Sequence, residues 1–279
     1  MKFKAVILFF NALMVFFLGL VFFLPFAVLG KEMALVFWGS GWFLLPLLLG
    51  ALLVVDVFFA LNYRVYVLLE KEDWPALVQE LEEQVFHRGR RAPRLIRLLA
   101  NTYLVLSDAK SVTILEQKLA MIRGSLINGN ALVFGAARIL AKDYRGAVEF
   151  FSVRLPGGTA RRSLRVSDAA WIRWYHGFAL LLARRFEAAA DEFILLARES
   201  GDAVLTGLSA YFLADTLAKF LALRSGELLK EGDTGRERVR RSLKTRFHWN
   251  RELKRIETEV YAAVLSSYMA KAADFIYGT

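Results

Sequence analysis

The chain of 279 residues contains no cysteine and only three histidines. Without cysteine it can form neither a disulfide nor a thiolate metal site, and it has no cysteine nucleophile. His87, His176 and His248 are widely separated in the sequence and cannot form a zinc site without help from carboxylates. The Walker loop, the dinucleotide-binding glycine motif and the signature motifs of serine hydrolases and zinc proteases are also missing. We therefore expect a protein that is not an enzyme and has no cofactor, metal or small-molecule substrate.

Charge is missing from two long apolar runs near the N-terminus, residues 5–29 and 34–55. Each run exceeds the roughly 20 residues that a helix needs to cross a hydrocarbon core of about 30 Å. Backbone groups in lipid must be satisfied within the segment, so both runs are predicted to be helices. Only residues 30–33 separate them, which is enough for a tight hairpin. Pro46 is expected to kink the second span.

Basic residues lie outside the two runs and set the predicted orientation. Lys2 and Lys4 precede the first run, Lys31 and Glu32 cancel in the connection, and Arg64 begins a basic stretch after the second. The positive-inside rule places both termini in the cytoplasm. Removal of the first run as a signal peptide would leave the rest of the chain on the same side. The sequence thus predicts an integral inner or cytoplasmic membrane protein with two spans.

Two polar residues, Asn11 and Asp56, interrupt the apolar zone. In an antiparallel hairpin they lie at similar depth, and an acid at lipid depth usually faces a partner. One interpretation is a hydrogen bond between Asn11 and Asp56 across the helices. The other is that the span ends at Val55 and Asp56 reaches the lipid headgroups.

A repeated pattern follows the apolar runs. Trp74, Ala109, Tyr144 and Phe186 occupy the same place in four aligned segments, with spacings of 35, 35 and 42 residues. The longer last interval contains the loop signature Pro156-Gly157-Gly158-Thr159. Three copies have a small residue nine positions before the aligned site. Three copies also have small or apolar residues at the third and seventh positions after it. These flanking residues are Ala100, Gly135 and Gly177 before the site, and Leu77 and Leu81, Ala147 and Phe151, and Ala189 and Phe193 after it.

This pattern resembles the tetratricopeptide repeat (TPR), a helix pair of about 34 residues. The resemblance covers about residues 58–202 and is best in the third and fourth copies. It departs from the family pattern at Val65, Ala109 and Glu116, and the leading Trp-x-x-Leu-Gly signature is absent. The resemblance implies stacked helix pairs in an α-solenoid, with small residues where two helices approach closely. Asp73, Asp143 and Asp168 are placed to cap helices, which supports the same structure.

The C-terminal segment is strongly basic. Ser225-Gly226 and Glu231-Gly232-Asp233 are expected to break the helical pattern, and residues 235–277 are predicted to form a final helical stretch, in one reading a single long helix. Basic side chains recur along one face at spacings of 4, 4, 3 and 4: Arg240, Lys244, His248, Arg251 and Arg255. Apolar side chains mark the opposite face, namely Trp249, Leu253, Ile256, Val260 and Val264. The basic face is either a solvated surface or a site for anionic lipid, RNA or an acidic protein.

The predicted inner surface of the solenoid comes from the first helix of each pair. In the second copy it carries Arg94, Arg97 and Asn101, which suit an acidic peptide. In the fourth copy it carries Trp171, Trp174 and Phe178, which are either interface anchors or part of the core.

The sequence thus predicts an all-α protein in three parts. Residues 1–61 form a transmembrane helical hairpin, 62–224 a TPR-like repeat domain, and 225–279 a basic amphipathic helix packed on the repeats. The predicted function is a membrane-tethered scaffold for protein–protein interaction on the cytoplasmic side. The alternative is binding of anionic lipid or nucleic acid by the basic helix, and the lack of a base-reading motif disfavours nucleic acid.

Overall fold

Every regular element in the described parts of the chain is a helix. The computed structural model describes residues 3–155, 166–256 and 265–278. It forms two compact units, Met1–His87 and Arg88–Thr279. The units divide after His87, and Leu61, the last residue of the predicted transmembrane domain, lies inside a continuous helix.

The first helix, α1 (Phe3–Gly41), is divided at Gly30, where φ is 76° and ψ is 169°. Glycine adopts this conformation because it lacks a Cβ. The rings of Phe22 and Trp38 stack with their centroids 5.6 Å apart. In a straight helix these residues would be separated by about 24 Å, at 1.5 Å per residue. The chain therefore reverses at Gly30, within the connection predicted for a helical hairpin.

The second helix, α2 (Leu44–Glu70), corrects the prediction for the second apolar run. That run is not one kinked helix, because helical structure ends at Gly41 and begins again at Leu44. Pro46 lies in the first turn of α2, where a missing N–H removes no intrahelical bond. From there α2 continues without interruption to Glu70, as expected for a span that passes directly into the first repeat helix. By length and composition, the structure has two helices that could cross a membrane, one within Ala5–Gly41, which reverses at Gly30, and the other Pro46–Glu70.

The first unit ends with α3 (Trp74–Glu82) and a π-helical turn, Glu83–His87. A buried carboxylate fixes this region: Glu80 accepts from Arg64 of α2 at 3.1 Å and from Gln84 at 2.9 Å. The polar group is therefore paired despite its burial, which avoids the cost of an isolated buried charge.

The second unit contains twelve α-helical segments among its described residues. They are α4 (Pro93–Val105), α5 (Ala109–Ile122), α6 (Ser125–Asn128), α7 (Ala131–Leu140), α8 (Tyr144–Ser152), α9 (Val166–Leu182), α10 (Phe186–Glu199), α11 (Ala203–Tyr211), α12 (Ala218–Phe220), α13 (Ser225–Ser242), α14 (Arg246–Ile256) and α15 (Ser266–Tyr277). A π-helical stretch, Phe212–Leu217, joins α11 to α12.

The aligned segments of the sequence share one backbone turn. Among the described residues, four that are not glycine have positive φ, between 54° and 60°: Glu72, Ser107, Lys142 and Arg184. Each stands two positions before an aligned site. The residue after it donates its N–H to a carbonyl five positions earlier, as in Asp143 to Arg138 at 2.9 Å. This pattern is the Schellman motif, which ends one helix and directs the chain into the next.

Aspartates cap the helices that follow these turns. The side chains of Asp73, Asp108 and Asp143 accept from backbone N–H groups three residues later at 3.0–3.2 Å. Such caps satisfy donors that the first turn of a helix leaves unpaired. The prediction that Asp73 and Asp143 are helix caps is confirmed, and the cap recurs in three of the four turns. Asp168, also predicted as a cap, instead lies inside the first turn of the helix Val166–Leu182.

The helix break predicted at Ser225-Gly226 falls at the start of α13, after non-helical Leu221, but the break predicted at Gly232 is wrong, because α13 runs through that residue. Gly232 and Gly235 face α11 and the π-helical stretch at very short range. A Cβ added to Gly232 would lie 2.8 Å from that of Ala214, and one on Gly235 would lie 2.9 Å from that of Ala210. The glycines thus permit a close helix crossing, and packing overrides their low helix propensity.

The C-terminal segment is not one long helix. Leu243, between α13 and α14, has non-helical φ and ψ of −112° and 82° and separates these two helices. The predicted loop Pro156–Thr159, the face residues Val260 and Val264, and Lys2 lie outside the described residues.

Candidate interaction surfaces

The aromatic residues predicted as partner anchors belong to the core. Trp171, Trp174 and Phe178 are all buried. The ring of Trp174 stacks on Phe178 at 5.2 Å and also contacts Phe193 of α10 at 5.8 Å. Their helix, α9, packs against α7, α8, α10 and α11, so most of its circumference is covered. A helix enclosed in this way places its aromatic side chains inside, and these three do not form a groove.

The polar residues predicted on α4 remain at or near the surface. Arg94 is exposed, whereas Arg97 and Asn101 are half-buried. The opposite face of α4 is buried through Ile96, Leu99, Ala100 and Tyr103. The structure therefore does not join the polar residues of α4 and the aromatic residues of α9 into one surface.

An open groove of about 610 Å³ lies between α8, α9 and α10. Its wall holds a polar network that joins α9 to α10. The Glu192 carboxylate accepts from Arg173 Nη1 at 3.1 Å, and its other oxygen lies 3.1 Å from His176 Nδ1. These side chains are largely buried, so the groove has a fixed polar wall.

The groove also carries exposed charges at its edges. Glu149 of α8 and Arg185 at the start of α10 are both exposed. Asp191, another lining residue, accepts from Arg224 at 3.0 Å. The Arg224 guanidinium also donates hydrogen bonds to the carboxylates of Glu227 and Glu187, and these bonds raise the pKa of Arg224. Arg185, in contrast, is exposed in the groove wall. Its cation is therefore available for an acidic group of a partner.

The sequence reading did not pair Glu192 with Arg173 or His176, although a signal for one pair was present. His176 and Glu192 each lie eight positions from Arg184, the turn residue between α9 and α10. In an antiparallel helix pair, residues equidistant from the turn become neighbours. His176 is buried, as expected of a packed side chain, and its polar partner comes from its own hairpin.

The predicted basic stripe does not lie on one helix. Arg240 belongs to α13, Lys244 lies between helices, and His248, Arg251 and Arg255 belong to α14. The Arg240 side chain donates from Nε to the Ile276 carbonyl at 2.5 Å and so caps the end of α15. The break at Leu243 therefore separates Arg240 from the three residues of α14.

Residues 111–278 match the model of a protein family described as "Uncharacterised Treponema protein". The match includes more than half of the chain. The chain belongs to this Treponema family. The matched segment contains the groove and the basic helices, and it begins within α5, after α4 and the apolar helices.

A protein of Treponema pallidum (strain Nichols), itself described as uncharacterized, is 31% identical over 192 residues. The alignment covers 66% of this chain and 58% of that relative, so the chain spans less than two thirds of the relative's length. No solved structure matches the chain.

A second open groove, of about 600 Å³, lies between α1 and α2, outside the segment matched to the Treponema family. Asn11 and Asp56 both line it, and Asp56 lies well inside α2 rather than beyond the end of a span. Among the described residues, Asp56 Oδ1 is buried and has no hydrogen-bond partner. The two residues thus share one groove, as their predicted depth implied, without a bond through that oxygen.

Proposed function

We propose that this member of the Treponema family is a membrane-tethered helical-repeat scaffold, in which the groove between α8, α9 and α10 binds a protein partner. The observation that carries the proposal is the recurrence of one turn and one capping pattern between successive helices. Repeats of this kind cannot bury their apolar faces singly, so neighbouring helix pairs stack and present extended surfaces. We interpret them as a TPR-like solenoid.

The tether is proposed to be the apolar hairpin of α1 and α2. Its support is the length and composition of the two helices, together with a surface of large exposed apolar side chains such as Leu8, Phe9, Leu53 and Val54. Water disfavours such a surface, whereas the hydrocarbon core accepts it. The basic residues that flank the hairpin favour cytoplasmic placement of both termini.

The groove suits a protein segment better than a small substrate. It is open, and its walls combine apolar Val148, Leu180 and Leu195 with the charged groups Arg185 and Glu149. The apolar side chains of such a surface can bury apolar groups of a bound peptide or helix. The charged side chains can orient it, with an acidic side chain of the partner opposite Arg185. Arg94, Arg97 and Asn101 on α4 remain a second proposed contact surface.

Site-specific photo-crosslinking in native membranes tests this function. A benzoylphenylalanine probe replaces Ala188 or Glu149 in the groove, and a control probe replaces exposed Gln117 on α5. We expect both groove probes to capture one and the same protein and the control probe not to capture it. Arg185→Glu should abolish capture at Ala188 while membrane content and helicity stay unchanged. Equal capture by all three probes, or none by the groove probes, contradicts the proposal.

A further inference from the structure

Helix α14 (Arg246–Ile256) has one buried and one exposed face. Trp249 is fully buried and fixes the helix against the second unit. On the exposed side, Phe247, Arg251 and Lys254 follow each other at spacings of four and three, which places them on one face. Arg255, also exposed, lies beside them.

Phe247 is unusual because it is an aromatic side chain left in solvent. It is 72% exposed, more than any other phenylalanine or tryptophan in the described residues, including Phe9 of the apolar hairpin at 69%. By contrast, exposed Phe220 stacks on Phe186 with the ring centroids 4.7 Å apart. Phe247 meets only the edge of His248, at 5.9 Å, among the described aromatic rings.

Within α14 the charges that flank Phe247 in the sequence are almost all positive, and Arg246, next to it, pairs with Asp274 of α15 at 2.8 Å. Glu252 is the only acidic residue between Arg246 and Ile256. It lies five positions from Phe247, on a different side of the helix, and accepts from Arg255 at 3.0 Å. Lys244, one turn before Phe247 in the sequence, is also exposed. An exposed aromatic ring surrounded by cations is a typical composition for a helix that lies in the interface of an anionic membrane.

We infer that the exposed face of α14 docks on anionic lipid headgroups, with Phe247 entering the interface and Arg251 and Lys254 contacting phosphates. This inference rests on the proposed membrane tether. Single-stranded nucleic acid also combines phosphate with bases that stack on aromatic rings. The membrane is favoured because a tethered domain meets the bilayer at a high effective concentration at all times.

The cysteine-free chain allows a direct test with the full-length protein. Asn250→Cys on the exposed side of α14 is labelled with an environment-sensitive fluorophore, and Asp233→Cys on α13 serves as the control probe. The proteins are reconstituted in vesicles of phosphatidylcholine alone or mixed with phosphatidylglycerol, each containing brominated acyl chains. We expect quenching at residue 250 only in the anionic vesicles, with loss of that quenching at high salt and no quenching at residue 233.

Variants separate charge from insertion. The double variant Arg251→Glu with Lys254→Glu should abolish quenching of the probe at residue 250. Phe247→Ser should reduce this quenching, and the remaining quenching should depend on salt as in the wild type. The matched control, Lys142→Glu with Arg145→Glu, reverses two exposed charges at the start of α8 and should leave quenching intact.

Three outcomes contradict the inference. If the protein co-floats with anionic vesicles but its probe is not quenched, docking of α14 is ruled out, whereas the proposed membrane tether is not contradicted. A response of the residue 250 probe to single-stranded RNA but not to anionic vesicles assigns the face to nucleic acid. Failure of every variant to co-float contradicts the tether and this inference together. Capture of a partner by the probe at Ala188 is independent of all three.

Discussion

Gly135 of α7 faces the ring of Phe151 of α8 so closely that a Cβ at residue 135 would lie 1.9 Å from Cζ of the ring. The same relationship recurs one helix pair later, where a Cβ on Gly177 would lie 3.2 Å from the ring of Phe193. In both pairs a small residue on the first helix gives the aromatic ring of the second helix room to pack. These contacts explain why a small residue and an aromatic residue recur at fixed positions in the sequence repeat.

Gly135→Ala should therefore destabilise the protein more than Gly177→Ala. At residue 135 the ring of buried Phe151 must move, and overpacking of this kind costs about 1–3 kcal/mol. At residue 177 a shift of a few tenths of an ångström suffices, and the cost should be under about 1 kcal/mol after the gain in helix propensity. Thermal unfolding in detergent, monitored by circular dichroism, measures which of the two variants is less stable. Equal melting temperatures for the two variants would contradict it.

The repeat could be predicted from the sequence because the residues that define it lie close together in the chain. The small residues at positions 135 and 177, the aromatic residues that contact them and the capping aspartates all recur at fixed offsets. Glu116 departs from that pattern at an apolar position, and sequence alone gave no reason. In the structure it forms a bidentate pair with Arg138 of α7, at 3.0 and 2.9 Å. That partner is 22 positions away on another helix pair, so no local pattern reveals it.

The Glu116–Arg138 pair should contribute measurably to stability. Both side chains are largely removed from solvent, so screening is weaker than at the surface. A double-mutant cycle with Glu116→Gln and Arg138→Gln should give a coupling energy of about 1–2 kcal/mol. The control cycle is Glu237→Gln with Arg241→Gln, an exposed pair on α13, and should give about 0–0.5 kcal/mol. Similar coupling in the two cycles would show that burial does not strengthen the first pair.

The turn residues predict a stabilising substitution. Lys142 has φ of 60°, a left-handed conformation that costs a residue with a Cβ about 1 kcal/mol. Lys142→Gly should therefore raise the free energy of unfolding by up to about 1 kcal/mol, reduced by the greater freedom of glycine in the unfolded chain. The neighbouring exposed Ala141 has helical φ of −73°, and Ala141→Gly should lower stability by about 0.5–1 kcal/mol. Changes of the same sign in both variants would contradict the assigned turn.

Sequence reasoning failed where tertiary packing decides the outcome. The sequence predicts a helix break at Gly232, yet α13 continues through it because Gly232 and Gly235 allow close contact with Ala214 and Ala210. Trp174 fits either a groove or a core, and its environment depends on the neighbouring helices around α9. Neither kind of information is present in the residues of one helix.

Acid should weaken the contact between α10 and α13. Arg198 Nε and Nη2 donate to the Glu231 carboxylate at 2.8 and 2.6 Å, and these bonds lower the pKa of Glu231 below its usual 4.5. The unfolded chain thus binds a proton at higher pH than the folded chain, so this stabilisation is complete above pH 4.5 and is lost as pH falls through the lower folded pKa. Glu231→Gln should melt at a lower temperature than wild type at pH 7 and lose less of its stability between pH 5 and pH 3. The control Glu237→Gln alters an exposed carboxylate on the same helix and should keep the acid dependence of the wild type. An unchanged acid slope in Glu231→Gln would show that its pairing with Arg198 does not couple protonation to folding.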